Sequence, residues 1–247
     1  MSLKRRIARL LGERNLGRLD YVLKPGLRAG WGGPFNGQKL RRRIFLELLK
    51  RARCPAIVET GTYLGTTTAF LATLGLPVYT AESNPRFHAY ASWRLLRSKG
   101  RIHLYEADSR EFLRSLSCDP TFPKERVLFY LDAHWYAHLP LREELEFIFT
   151  QWPDSIAMVD DFQVPGTAYG YDDYGSGQVL NLEYLEPLRY LQLIPFFPAV
   201  GPQGETGAKR GCVVLCRAGG EIKRLISEIE TLRPAHDTRM SWRPSIS

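Results

Sequence analysis

Cysteine is scarce in this chain, with four among 247 residues, and Cys54, Cys118, Cys212 and Cys216 fall in no zinc-finger spacing. No run of 18 apolar residues occurs, so no segment reads as a membrane-spanning helix, and no secretory pattern opens the sequence. These absences predict a reducing, cytoplasmic setting. Cys212 and Cys216 flank Val213-Val214-Leu215 in a strand-like run, where a period of two puts both thiols on one face, at or near a core. Also missing is the Gly-x-Gly-x-x-Gly loop that cradles a pyrophosphate at a helix N-terminus, which points away from a nicotinamide-dependent oxidoreductase.

Acidic residues are rare at one end only. Residues 1–50 carry 13 Lys and Arg against three acids, a net of +10, whereas the remainder carries 21 against 23. Leu3, Ile7, Leu10 and Leu11 fall at helical spacing with Lys4, Arg5, Arg6 and Arg9 on other faces, the pattern of a basic amphipathic helix. Two readings stay open: peripheral contact with a membrane surface, or packing on the same domain or on a second copy in a homodimer. No recognition motif and no stacking platform of aromatics accompanies the charge, so no specific nucleic acid is expected.

With 44% hydrophobic residues the chain can bury one sizeable core. Helical patterns near 38–51, 66–74, 85–99, 109–117, 140–152 and 219–232 alternate with strand-like segments near 56–59, 78–82, 101–106, 127–131, 156–159, 191–197 and 211–216. Crossovers of this length make parallel strands. The last two strands are joined by the turn-rich Gly201-Pro202-Gln203-Gly204-Glu205-Thr206-Gly207, which predicts an antiparallel hairpin. The predicted fold is therefore α/β, a Rossmann-like three-layer sandwich with a seven-stranded, mostly parallel sheet ending in an antiparallel hairpin. Residues 1–30 read as the basic segment, 31–235 as one domain and 236–247 as a loose tail.

The most informative stretch runs from Val58 to Phe70, VETGTYLGTTTAF, where a short β-prone run turns into a helix through Gly61 and Gly65. Tyr63, where a backbone would have to approach a pyrophosphate, favours a nucleoside cofactor without phosphates. A second acid follows at the expected distance: Glu82, ending the next strand in Glu82-Ser83-Asn84-Pro85, can accept both ribose hydroxyls. In open α/β sheets ligands lie beyond the carboxyl ends of the strands, and here those ends are acidic. Asp108-Ser109 follows the third strand, where Asp108 can meet an adenine amino group or cap a helix. Asp132-Ala133-His134-Trp135-Tyr136 follows the fourth, and Asp160-Asp161 the fifth. Three carboxylates converging on one crevice imply a hard divalent cation or a raised carboxyl pKa; the alternatives are contact of Asp132 with the cofactor's charged region and turn capping by Asp160 or Asp161.

These motifs resemble class I S-adenosylmethionine-dependent methyltransferases, and among them the catechol O-methyltransferase type. Asn36-Gly37-Gln38, Glu59 to Gly65, Glu82 to Pro85, Asp132 with Asp160-Asp161, and Val164-Pro165-Gly166 carry the resemblance over roughly residues 35–166. It implies methyl transfer from S-adenosylmethionine to a hydroxyl of a small molecule, a sugar or a phenolic natural product. The cofactor would meet Asn36, Glu59, Gly61, Thr62, Tyr63, Gly65, Thr66, Glu82, Ser83, Asp108, Ser109 and Asp132. Asp132, Asp160 and Asp161 match positions that hold Mg²⁺ in that family, with Asp132 and Asp160 counted among the catalytic residues. One departure stands out. The catechol enzymes carry a lysine base just after the first metal aspartate, whereas this chain offers Ala133 and His134, so His134 becomes the candidate base, with His138 behind it. The lost lysine and the basic N-terminus also support an alternative, a noncatalytic adenosylmethionine-fold module that binds a partner or membrane surface. The loop from Phe162 to Leu180, with Tyr169, Tyr171, Asp172, Asp173 and Tyr174, reads as a lid over the acceptor.

Overall fold

The computed structural model describes residues 3–96, 98, 101–134, 139–175 and 177–235, with the backbone alone for residues 3–10. Expectations that rest on the side chains of Leu3, Ile7 and Leu10, on Trp135, Tyr136 and His138, or on the tail 236–247 lie outside the described residues.

The strands are β1 (Ile57–Thr60), β2 (Pro77–Ala81), β3 (Arg101–Tyr105), β4 (Leu128–Leu131), β5 (Ile156–Val159), β6 (Leu193–Pro198), β7 (Val213–Arg217) and β8 (Leu232–Pro234). They form one sheet in the order β3-β2-β1-β4-β5-β7-β6-β8. β1 to β5 pair in parallel, and β7 enters antiparallel between β5 and β6, so the predicted closing hairpin is present. The eighth strand departs from the seven expected. The last helix stops at Ser227, and Leu232–Pro234 turns back to pair antiparallel with Phe196–Pro198 on the open edge of β6. Three residues are too few for a period-two pattern to stand out from the end of a helix.

The helices are α1 (Leu3–Leu23), α2 (Lys39–Ala52), α3 (Thr66–Leu71), α4 (Pro85–Leu95), α5 (Ser109–Cys118), α6 (Leu141–Gln151) and α7 (Gly220–Ser227). Alternation along the strands divides the core into two layers. Val58, Phe129, Leu131, Ala157 and Val159 pack under α5 and α6 with Phe112, Leu145, Phe149 and Trp152. Ile57, Leu128, Tyr130, Ile156 and Met158 face the other way, onto Ile44, Phe45 and Leu48 of α2 and Ile222 and Ile226 of α7. Cys212 and Cys216 are buried in this second layer.

Caps place the helix starts that border the site. The Asn84 side chain accepts from the Arg86 and Phe87 amides at 2.9 and 3.3 Å, with Pro85 at the first helical position. Asp108 accepts from the Arg110 amide at 3.0 Å. α2 has no cap of its own. Glu205, from the turn-rich link before β7, accepts from the amides of Leu40 and Arg41 at 2.9 Å each, satisfying donors that a helix start leaves open. α1 is interrupted at Gly12 and lies across α4 through Gly17, where a Cβ would come within 2.0 Å of the Arg86 carbonyl. Asp20 and Arg86 pair at 2.8 Å across that contact, and the Tyr21 ring stands edge-on to Tyr90 at 5.4 Å. No helix among the described residues is long and apolar enough to cross a membrane.

Candidate active site

A cavity of about 780 Å³ opens at the carboxyl ends of β1 to β5. That is within the range of pockets that enclose small-molecule ligands, and it lies where the topology of a parallel sheet puts them. Of the residues singled out from the sequence, Asn36, Gly61, Tyr63, Glu82, Ser83, Asp108, Ser109, Asp132, His134 and Asp161 line it. Glu59, Thr62, Gly65, Thr66 and Asp160 do not.

The glycine loop owes its sequence to crowding. Gly61 has φ +88°, and a Cβ there would stand 2.4 Å from the Asp132 carbonyl oxygen, so the loop after β1 presses against the end of β4 where no other residue fits. Thr62 turns inward, its hydroxyl 2.6 Å from that of Thr80. Gly65, at φ +70°, makes the turn into α3, which Thr66 begins. Glu59 is 1% exposed and lies behind the loop, its Oε2 accepting from Thr68 at 2.5 Å and Thr80 at 2.7 Å. Burial raises its pKa to about 7 against those two hydroxyls. Glu59 thus braces β1, β2 and α3 against one another.

Glu82 faces the cavity with its carboxylate fixed. Its Oε2 accepts from the Tyr63 amide at 2.7 Å and its Oε1 from the Asn84 amide at 2.8 Å, leaving further lone pairs for a ligand. Burial raises its pKa from the ordinary value, opposed by those amides. Asp108 serves as the α5 cap, is held by Arg110 at 2.8 Å, and still borders the cavity.

At the other end lies the carboxylate cluster. One oxygen each of Asp132, Asp160 and Asp161 lie within 4.8 Å of one another, close enough to share a metal ion. The structure fills that place differently. Arg41, 1% exposed, pairs its Nη1 with Asp160 Oδ1 and stands 3.6 Å from Asp161. Its Nη2 donates to the carbonyls of Arg210 and Gly211 at 2.5 and 2.9 Å, which anchors the guanidinium from the far side. The second oxygen of Asp160 accepts from the Tyr130 hydroxyl at 2.7 Å. Asp161 is held by Arg210 Nε at 2.8 Å, and Arg210 also pairs with Asp172. Both oxygens of Asp160 are engaged and two guanidinium groups oppose the charge. The spacing is compatible with a shared ion, but a resident Mg²⁺, which needs oxygen ligands, would have to compete with Arg41 and Arg210 for these carboxylates.

Asp132 opens to the cavity but is enclosed by protein elsewhere, and that enclosure, followed by the charge of Asp161, holds its carboxyl well above the usual range. His134 is 3% exposed, and neither ring nitrogen has a hydrogen-bond partner among the described residues. Burial lowers its pKa, against the pull of Asp161 and Asp172, which favours the neutral imidazole. Tyr174, on the loop read as a lid, pairs with Asp172 and places its hydroxyl 3.0 Å from the His134 carbonyl. That loop is tied down by the Asp172 amide on the Asp161 carbonyl at 2.9 Å.

Arg41, Tyr130, Glu205 and Arg210 belong to this site and were not singled out from the sequence. For Arg41 a signal existed: it shares the buried stripe of α2 with Ile44, Phe45, Leu48 and Ala52, an arginine where the helical period calls for an apolar residue. Glu205 and Arg210 arrive by long-range folding and carry no local signature.

No family model and no curated protein matches the sequence. Solved structures similar to the chain include the O-methyltransferase TomG from Streptomyces achromogenes in complex with SAM, at 18% identity and a TM-score of 0.48, covering 72% of this chain and 80% of that one. Others are the O-methyltransferase from Bacillus cereus with SAH, at 17% and 0.48, covering 72% and 81%, and human Methyltransferase-like protein 13 with SAH, at 14% and 0.49, covering 81% and 95%.

Proposed function

We propose that the chain is an S-adenosylmethionine-dependent O-methyltransferase acting on a hydroxylated small molecule. The observation that carries this reading is the cavity itself, which joins an oriented acid, Glu82, a loop too tight for any side chain at Gly61, and an unpartnered buried imidazole, His134. Glu82 would take the ribose hydroxyls, and Asp108 and Ser109 the adenine end. Asp132 and the Gly61 to Tyr63 backbone would face the sulfonium. Bound S-adenosylmethionine supplies an electrophilic methyl group.

The residues of this chain then have three tasks. Asp132 presents its carboxyl to the cavity, where a cationic ligand would favour its ionised form and so be held more tightly than the neutral product. His134 takes the acceptor's hydroxyl proton as the new O–CH₃ bond forms and the old S–CH₃ bond breaks, so the proton ends on its imidazole. Tyr174 and the loop from Phe162 to Leu180 exclude water and press the acceptor against His134. Mg²⁺, implied by the family resemblance, has no task in this scheme because Arg41 and Arg210 hold its ligands.

Incubation with S-adenosylmethionine labelled in its methyl group and a panel of sugars and phenols tests the reading. Label is expected in an ether product of at least one hydroxylated acceptor. Cofactor binding with no labelled product across the panel would instead favour the noncatalytic module.

A further inference from the structure

We propose that Arg41 is a built-in cation of the Asp132, Asp160 and Asp161 cluster, a positioning residue that shapes the acceptor end of the cavity and closes the cluster to divalent metals. It bears on the reading above only in making that chemistry metal-independent. The charge geometry holds whether or not methyl transfer occurs.

Three observations converge. First, the guanidinium already stands against two of the carboxylates, paired with Asp160 and 3.6 Å from Asp161. Second, Arg41 cannot swing aside at small cost. It is 1% exposed, its Nη2 is bound by the carbonyls of Arg210 and Gly211, and its backbone amide is bound by Glu205 at 2.9 Å. Withdrawing it would leave Asp160, which is 0% exposed, with the Tyr130 hydroxyl as its one side-chain partner among the described residues. Third, Arg210 adds a second positive group on Asp161 at 2.8 Å and carries it to Asp172 on the lid. A divalent ion entering the cluster would meet two guanidinium groups and compete with them for Asp160 and Asp161.

An ion and a guanidinium do different things in such a place. A bound metal can coordinate an acceptor oxygen directly and acidify it, whereas Arg41 does not line the cavity. Its effect passes through Asp160 and Asp161, which it holds in position, and through Arg210, whose carbonyl it grips. The proton must then leave the acceptor hydroxyl for a side chain, and His134 is the buried base facing that end.

Titration of the purified full chain with Mn²⁺, followed by the electron paramagnetic resonance signal of the free ion, decides the question. The wild type is expected to leave the signal undiminished at millimolar ion, with S-adenosylhomocysteine binding measured separately and unchanged by chelator. Arg41→Met, checked for folding by circular dichroism, is expected to bind Mn²⁺ roughly a hundredfold tighter than the wild type or better, the scale of removing one like charge about 4 Å away. Arg41→Lys should keep the cluster closed. If Arg41→Met does not fold, the wild-type titration stands alone. Wild-type Mn²⁺ binding that Asp160→Asn abolishes would overturn the proposal, as would a folded Arg41→Met that gains no ion. Failure to bind S-adenosylhomocysteine would count against the methyltransferase reading and leave the metal result intact.

Discussion

The guanidinium of Arg41 is paired with the carboxylate of Asp160 inside the protein, both side chains at 1% exposure or less. A helix that starts far from the sheet's fifth strand in sequence thereby supplies the charge that lets two adjacent aspartates stand at that strand's end. Removing one member of a buried pair strands the other. Arg41→Met is therefore expected to lower stability by about 3–5 kcal/mol, read from urea unfolding at fixed pH. A loss below about 1 kcal/mol would mean that Asp160 finds another partner or takes up a proton.

Gly61 sets the distance between the loop after β1 and the end of β4. Gly61→Ala would put a Cβ 2.4 Å from the Asp132 carbonyl at a φ of +88°. The expected result is destabilisation by roughly 2 kcal/mol or more, with loss of S-adenosylhomocysteine binding in whatever remains folded. Unchanged binding in calorimetry would show that the loop has room that its packing denies.

Glu144 is buried at 0% exposure, with the hydroxyls of Thr60 and Ser109 facing it but out of full hydrogen-bond geometry. Burial raises its pKa to about 7 from an ordinary 4.5. The folded state thus keeps a proton that the unfolded chain releases. This contribution to stability is fully present below pH 4.5 and is lost as pH rises through about 7, a change on the order of 3 kcal/mol. Glu144→Gln should flatten that descent. Parallel stability curves for variant and wild type between pH 4 and 8 would contradict the assignment.

His134→Gln keeps the size of the side chain and removes the base. Turnover is expected to fall by roughly a hundredfold or more while S-adenosylhomocysteine affinity stays within a factor of about two, since the residue acts on the acceptor's proton. Equal losses in affinity and turnover would place His134 in cofactor binding.

Much of this fold was legible in the sequence because the signals were local. β5 occupies the span its apolar run predicted, and Asn84-Pro85 and Asp108 start the helices they were expected to start. Glu82 was readable from its spacing after the glycine loop. What escaped was non-local: Glu205 capping a helix more than 160 residues away, Arg210 meeting Asp161, and the short edge strand β8. The three aspartates were legible as a cluster and by their spacing could share an ion, but Arg41, the cation paired with Asp160, comes from a distant helix and was not read with them. Glu59 read as a cofactor residue for a related reason. An acid at the end of a strand has two sides to face, and Thr68 and Thr80 drew it inward.

Calorimetric titration of S-adenosylhomocysteine into the wild type and into Glu82→Ala tests the central claim most directly. The account predicts saturable binding to the wild type, weakened at least about tenfold by the substitution, the scale of losing hydrogen bonds to one charged acceptor. A folded wild type that gives no heat of binding would contradict it.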